Sequence, residues 1–228
     1  MDQAKDGAAE RLAEVRKAMM RAKKRFDTSA APCSLIAVSK TVPGSSLEPY
    51  LDAGQRVFGE NRVQEAAEKW PALRTQYRDI ELHLIGPLQT NKVRDAVVLF
   101  DCIQTVDRDK LAASLRAEMD RAGRSLKFFV QVNIGGEAQK HGIAPTEVVD
   151  FVGRCRTEHR LDIVGLMCIP PDGLPPGPYF ASLVGLARQA NVDELSMGMS
   201  GDFETAISMG ATHVRVGSAL FGARAPLG

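Results

Sequence analysis

Eight short apolar runs alternate along this chain with amphipathic stretches, and that alternation constrains the fold more than any other feature. An opening helix is predicted over residues 4–25, where Leu12, Val15, Met19 and Ala22 recur at helical spacing among many charges. Strands are predicted over 34–40, 56–60, 81–85, 101–105, 127–133, 162–167, 194–197 and 213–217. The helix after Lys40 takes Ser45 or Ser46 as N-cap and ends at Gly54; others cover 61–77, 91–99, 108–122, 146–156, 180–190 and 202–209. Short, evenly apolar strands suit a parallel sheet buried on both faces. Strict βα order leaves an open doubly wound sheet or a closed barrel. Eight units and a length of 228 residues, near the ~250 usual for barrels, favour closure. No Gly-x-Gly-x-x-Gly turn follows the first strand, so the dinucleotide fingerprint of the open alternative is missing. The expectation is an α/β chain forming one domain over residues 1–228, a (β/α)8 TIM barrel with an extra N-terminal helix. The turn-rich segment 170–178 reads as a barrel loop, not a linker.

Composition excludes several classes of partner. Lys and Arg number 29 and Asp and Glu 28, a net charge of +1, so no basic footprint calls for nucleic acid or an anionic membrane. No apolar run approaches the roughly 20 residues of a membrane span. The polar N-terminus lacks the apolar heart of a signal peptide. Cys33, Cys102, Cys155 and Cys168 are widely spaced with no Cys-x-x-Cys pair, so neither a zinc site nor a disulfide framework is expected, and a cytoplasmic location fits. None of the four histidines has metal-ligand spacing; His83 and His213 sit mid-strand as core histidines.

Barrels of this class bind ligands at the C-terminal ends of their strands. Here those ends carry Lys40, Glu60-Asn61, Gly86, Gln104-Thr105, Asn133, Met167, Met197-Gly-Met-Ser-Gly-Asp202 and Gly217-Ser218. Small, polar and cationic groups gather where a packed core would place Val and Leu. Lys40 closes the run Leu35-Ile-Ala-Val-Ser39, so its amine emerges from an apolar wall. Desolvation there disfavours the ammonium and exposes a nucleophile able to form an imine with an aldehyde. The plain alternative is a strand-ending lysine that snorkels to water. Phosphate sites in barrels often lie between the loops after the seventh and eighth strands. Ser200-Gly201 follows the seventh and Gly217-Ser218 the eighth, although Ser200 by itself also reads as an N-cap. Arg215 lies inside the apolar run 213–217 and needs an acceptor in a barrel wall. That acceptor is either Glu60 or Asp202 in an ion pair, or a ring nitrogen or anionic group of a ligand. Lys140-His141, in the loop after Asn133, reads as a solvated pair of loop charges.

An imine-forming lysine, a phosphate cup and a partner for a ring nitrogen together describe a pyridoxal 5′-phosphate (PLP) site. The motifs Ala37-Val-Ser-Lys-Thr41, Phe58-Gly-Glu-Asn61, Val63-Gln-Glu65, His83-Leu-Ile-Gly-Pro-Leu-Gln89 and Asn91-Lys92 resemble those of the pyridoxal phosphate homeostasis protein family. Gln131-Val-Asn133, Lys140-His-Gly142, Gly165-Leu-Met167, Leu195-Ser-Met-Gly-Met-Ser-Gly-Asp202 and Val214-Arg-Val-Gly-Ser218 continue the resemblance in order, over residues 35–222. The family is similar to the N-terminal barrel of alanine racemase. The resemblance implies that Lys40 holds the cofactor covalently as an internal aldimine. It places Ser200, Gly201, Gly217 and Ser218 in the phosphate cup and Arg215 opposite the pyridine nitrogen. It also implies that Asn61 lies beside the cofactor and that Met197 and Met167 line the same cavity. Arg62, Cys168 and Gly135-Gly136 depart from the commonest pattern, and the last pair leaves the role of the loop beside Lys140 open.

Chemistry and resemblance then point to a carrier. An always-charged Arg215 keeps the ring nitrogen unprotonated and weakens the electron sink on which amino-acid chemistry depends. Racemisation needs a second acid–base group facing the lysine. In the racemases a tyrosine from an added β-domain of a partner subunit supplies it, and 228 residues leave no room for that domain. Tyr50, Tyr77 and Tyr179 fall in helices or the Pro-rich loop rather than at strand ends. The expected role is to hold PLP, limit its reactive aldehyde and help balance vitamin B6 and amino-acid pools, with little or no catalysis. PLP-requiring apo-enzymes are the expected transient partners, nucleic acid and membranes are not, and a monomer is expected. The alternatives are a PLP-dependent amino-acid racemase or lyase and a Schiff-base aldolase acting on a sugar phosphate.

Overall fold

The computed structural model describes residues 2–25 and 32–222. Within them the apolar runs pair in chain order and close on themselves: β1 (Ser34–Val38), β2 (Val57–Glu60), β3 (Glu81–Leu84), β4 (Cys102–Val106), β5 (Lys127–Val132), β6 (Asp162–Cys168), β7 (Glu194–Met199) and β8 (His213–Val216). Every neighbouring pair is parallel, and β8 returns to β1 with Ile36 opposite Arg215 and Ala37 opposite Val216. This is the closed α/β barrel that the eightfold alternation implies. Around it lie α2 (Glu48–Asp52), α3 (Val63–Gln76), α4 (Val93–Leu99), α5 (Asp109–Ala122), α6 (Val148–Thr157), α7 (Gly177–Gln189), α8 (Phe203–Ser208) and α9 (Ser218–Phe221). The extra helix α1 (Asp2–Arg25) packs on α2, α8 and α9, burying Leu12, Val15, Met19 and Ala22.

Strand alternation splits the barrel into two environments. Leu35, Ala37, Phe58, Leu82, Leu84, Ile103, Phe128, Val130, Leu166, Leu195, Val214 and Val216 face outward and join the helices in one apolar shell. Helices present matching stripes: α3 buries Val63, Ala66, Trp70 and Leu73, and α5 buries Leu111, Ala112, Leu115 and Met119. Each large side chain so buried is worth about 1.5–3 kcal/mol, so this shell is the main source of stability. Inside the barrel the apolar content is smaller: Cys102, Phe129 and Met167 with Val164 and Ile169 against them, and Ile36 and Val38 of β1. The rest of the lumen is polar, with His83, Gln104, Ser196 and Arg215 all buried.

Local differences from the sequence reading have simple causes. Ser45 and Ser46 do not cap α2; they lie in a 3-10 turn whose Ser46 and Leu47 N–H groups bond back to Pro43 and Gly44, and α2 starts afterwards at Glu48. Tyr179 belongs to α7, which begins at Gly177 inside the segment read as loop.

Both mid-strand histidines are partnered core residues, as expected. His83 lies 2.8 Å from Glu81 Oε1 and 2.8 Å from Gln104 Nε2, while His213 Nδ1 is 2.9 Å from Thr212 Oγ1 and its ring meets Phe129 edge-on at 5.4 Å. Burial, reinforced by His83, lowers the His213 pKa from its ordinary 6.5 to about 4. The folded value lies below the unfolded one, so the neutral ring contributes stability above pH 6.5 that drains away as the pH falls toward 4. The urea midpoint is expected to drop across that window by an amount equivalent to a few kcal/mol, and His213→Asn to flatten the drop. A wild-type profile level from pH 6.5 to 4 would contradict a buried neutral imidazole.

Candidate functional site

The C-terminal mouth of the barrel opens into a cavity of about 1280 Å³. Lys40, Asn61, Ser200, Gly201, Arg215, Gly217 and Ser218 all line it, so the closure of β8 onto β1 brings the two ends of the chain to one place. Met197 is a correction. Ser196 faces the lumen, so Met197 faces outward by alternation and is fully buried in the shell against the helices. Gly198, with φ of +92°, and a register shift between Ser196 and Met199 then turn Met199 onto the cavity wall instead. Met167 also lies off the wall, packed inside the barrel on Cys102 and Phe129.

Lys40 stands just past β1, on the parity of Ile36 and Val38, and is followed by Thr41 at φ +62°, a left-handed conformation that a β-branched residue rarely adopts. The turn is clasped from α3. The Lys69 ammonium, 9% exposed, lies 2.7 Å from Ser39 O, 3.0 Å from Val42 O, 3.0 Å from Glu65 Oε1 and 2.8 Å from Glu60 Oε1. Glu65 also accepts from the Thr41 N–H. Glu60 Oε1 accepts from Ser39 Oγ at 2.7 Å and from Trp70 Nε1 at 3.0 Å. Burial pushes the Glu60 carboxyl pKa up, and hydrogen bonding from Lys69, Ser39 and Trp70 pulls it back. Glu60 therefore turns away from the mouth to the outer face of the sheet, whereas Asn61 reaches the cavity. Asn61 is seated by Gly86: a Cβ there would fall 2.2 Å from Asn61 O.

Across the mouth the two serine–glycine pairs meet. The Gly217 N–H donates to Ser200 Oγ at 3.2 Å, tying the loop after β7 to the loop after β8. Ser200 is not the N-cap of α8; Asp202 holds that position, and its carboxylate accepts from the Met199 N–H at 2.6 Å. The backbone N–H groups of Ser200, Gly201, Ser218 and Ala219 donate to no acceptor among the described residues. A Cβ built on Gly201 would meet nothing within 4 Å. Orphan donors beside open space suit an anion with several oxygens.

Arg215, 4% exposed, donates from Nη1 to Ser196 Oγ at 2.7 Å and from Nη2 to Cys168 O at 2.8 Å. Its acceptors are neutral: Glu60 is taken by Lys69 and Asp202 by the Met199 N–H. Burial lowers its pKa, but a guanidinium starts so high that it stays charged. Tyr50 also lines the cavity from α2, a position that strand ends do not announce; its hydroxyl donates to Leu220 O and accepts from Arg11 Nε at 3.0 Å. Lys140 is tied down rather than solvated, 2.6 Å from Glu137 Oε2 and 3.1 Å from Pro170 O, beside a smaller pocket of about 220 Å³ shared with Asn61. Among the described residues no group of three His, Cys, Asp or Glu is placed to hold a metal, and no helix is long and apolar enough to cross a membrane.

The family model described as alanine racemase, N-terminal domain, matches residues 12–225. The pyridoxal phosphate homeostasis protein of Escherichia coli K12 is 38% identical over 228 residues, covering 95% of this chain and 96% of its own. That of Pasteurella multocida is 36% identical over 223 residues, covering 93% and 96%. The chain belongs to the pyridoxal phosphate homeostasis protein family. Among solved structures, PipY of Synechococcus elongatus without PLP superposes with a TM-score of 0.82 at 40% identity, over 94% of this chain and 99% of that one. The same protein with PLP bound gives 0.80 at 38% identity, over 94% and 100%. An alanine racemase from Clostridium difficile, at 13% identity and a TM-score of 0.67, covers 92% of this chain and 56% of its own and shares the fold alone.

The sequence reading passed over Lys69 and met its partner Glu65 only as part of the motif Val63-Gln-Glu65, with no role. Their i,i+4 spacing resembles any surface helix pair, and only the fold reveals the turn beneath them. Lys69→Met leaves the Glu60 carboxylate buried without its cation and is expected to destabilise by about 3–5 kcal/mol, read as a lowered urea midpoint. Adding Glu60→Gln in the same chain is expected to recover part of that loss. No recovery would mean that the pair is not the source of the cost.

Proposed function

We propose that this chain binds pyridoxal 5′-phosphate at the barrel mouth, holds it covalently through Lys40 Nζ, and acts as a keeper of the cofactor in vitamin B6 and amino-acid homeostasis rather than as an enzyme. The observation that carries the reading is the convergence, in one cavity, of Lys40, an orphan-donor cup at Ser200-Gly201 and Gly217-Ser218, and the buried cation of Arg215. These match the aldehyde, the phosphate and the ring nitrogen of PLP. When bound, the cofactor supplies an aldehyde that condenses with amines and a ring that withdraws electrons. The residues present do the rest. The cup donates to the phosphate oxygens, Lys40 offers its amine beside them, and Arg215 meets the ring nitrogen as a permanent cation that keeps a proton off it. Asn61 borders the cofactor from β2. The PLP-bound PipY structure and the names of the relatives support the reading.

Little in the cavity favours turnover. Of the groups that could face Lys40 as a second acid–base, the Tyr50 hydroxyl donates to Leu220 O and accepts from Arg11 Nε, and Glu65 accepts from the Thr41 N–H and pairs with Lys69. Cytoplasmic residence, a monomeric state and transient hand-over to apo-enzymes complete the proposal.

Purified protein incubated with PLP and reduced with borohydride is expected to show a stable adduct mapped by mass spectrometry to Lys40. Lys40→Ala is expected to abolish the adduct while reversible binding survives through the cup. An adduct of unchanged yield in that variant removes Lys40 from its role. Hydrogen bonds to charged groups are worth about 1.5–3 kcal/mol each, so Ser200→Ala with Ser218→Ala is expected to raise the dissociation constant at least about a hundredfold. Full retention of PLP through dialysis would mean that the two hydroxyls do not hold the phosphate and that the backbone donors suffice.

A further inference from the structure

A chain of hydrogen bonds runs through the lumen from the cavity to the opposite mouth. Arg215, on the cavity wall, donates from Nη1 to Ser196 Oγ at 2.7 Å. Ser196 Oγ donates to Gln104 Oε1 at 2.6 Å, Gln104 Nε2 lies 2.8 Å from His83 Nδ1, and His83 Nε2 lies 2.8 Å from Glu81 Oε1. The members come from β8, β7, β4 and β3. Ser196, Gln104 and His83 are buried, whereas the Glu81 carboxylate is 46% exposed at the N-terminal end of the barrel.

The chain has one direction. A guanidinium only donates, so Ser196 accepts from it and sends its own proton onward. The Gln104 amide therefore shows its oxygen to Ser196 and its NH2 to the imidazole. His83 Nδ1 must accept, which puts the proton of the neutral ring on Nε2, facing a carboxylate that only accepts. Every link pairs a donor with an acceptor, with a cation at one end and an anion at the other. Barrel interiors are ordinarily filled by Val, Ile and Leu, and buried polar groups cost stability unless they satisfy one another. A complete polar column ending on Arg215 thus calls for a reason beyond packing.

We propose that Ser196, Gln104 and His83 are positioning residues for Arg215: they fix the guanidinium plane and relay to it the compensating charge of Glu81, moderating the field that Arg215 presents to the ring of a bound cofactor. What this says of the cofactor rests on the function proposed above; the existence and direction of the chain do not. Linked hydrogen bonds in a low-dielectric interior polarise one another. Cutting the column leaves Arg215 a less compensated cation and makes a proton on the cofactor less favourable. The other charged or titratable groups around the column are Cys102 beside His83, His213, Glu194, Asp162 and Lys127 at the far end, and Asp202 and Cys168 near Arg215, and the substitutions below leave them in place.

Two readouts test the proposal. In cofactor-free protein, nitrogen NMR is expected to show His83 as the Nε2–H tautomer with an accepting Nδ1, and Ser196→Ala or Gln104→Leu to release it to a tautomer mixture. In protein loaded with PLP, both substitutions are expected to lower the pH midpoint of the cofactor's visible absorbance change by about one unit, a tenfold change in proton affinity. Glu81→Gln, which removes only the distant charge, is expected to lower it by less. A purely structural role would change melting temperature and retention but leave the midpoint in place. A proton on Nδ1 of His83 in the wild type, or an unmoved midpoint in variants that fold and keep the cofactor, overturns the proposal. If the wild type binds no PLP, the function proposed above falls while the NMR result still decides the column. Should Gln104→Leu fail to fold, Ser196→Ala and Glu81→Gln carry both measurements.

Discussion

The buried ammonium of Lys69 is the interaction on which the site depends. The sheet ladder of β1 reaches only to the Ser39 N–H, which donates to Gly59 O at 3.0 Å, and in the turn beyond it Thr41 adopts a conformation costing of order 1–2 kcal/mol for an ordinary residue. Lys69 spans that turn, touching the carbonyl before Lys40 and the one two residues after it, while Glu65 takes the Thr41 N–H. The cation is held in turn by Glu60, whose carboxylate is gripped by Ser39 and Trp70. A charge pair this dry gains little net stability over an apolar filling. What it supplies is a single geometry for the segment that carries Lys40 to the cavity.

Parity along each strand divides the labour. At the end of β2, Glu60 goes outward to the clasp and Asn61 reaches the cavity, so one strand end both builds and furnishes the site. On β1 the outward residues Leu35, Ala37 and Ser39 serve the shell and the clasp, and the inward parity of Ile36 and Val38 leads to Lys40. On β8 the outward Val214 and Val216 join the apolar shell, while inward Arg215 belongs to the lumen. Stability and chemistry thus occupy opposite faces of the same short strands, which lets a polar lumen exist without weakening the shell.

This division also explains which parts were legible in the sequence. The order of strands and helices follows from local periodicity, and the barrel follows from their number. The residues after β7 and β8 could be placed because glycine and serine at strand ends have few other uses. Met197 could not be placed, since a strand four residues long in the reading carries no mark of which face is inward; Ser196, bonded to Arg215, settles that only in three dimensions. Lys69 was illegible for a different reason. Its partners Ser39 and Val42 lie 30 and 27 residues away, while its one local partner, Glu65, imitates an ordinary surface pair. Arg215 showed that it needed an acceptor, but its actual acceptors, a serine hydroxyl and a backbone carbonyl, carry no charge signature.

The distinction between keeping a cofactor and using it comes down to unspent valences. A group that shuttles protons needs a free lone pair or a free proton near the reacting atom. Around this cavity the Tyr50 hydroxyl is engaged on both sides, Glu60 is locked beneath α3, and Asp202 holds the Met199 amide. The cysteine nearest Arg215, Cys168, has its thiol pushed up to about 12 by burial and is inert at neutral pH. Among the described residues, the backbone donors at Ser200, Gly201, Ser218 and Ala219 stay unspent. Donors of that kind suit the binding of an anion and move no proton, which is the physical ground of the proposal that the site holds its ligand.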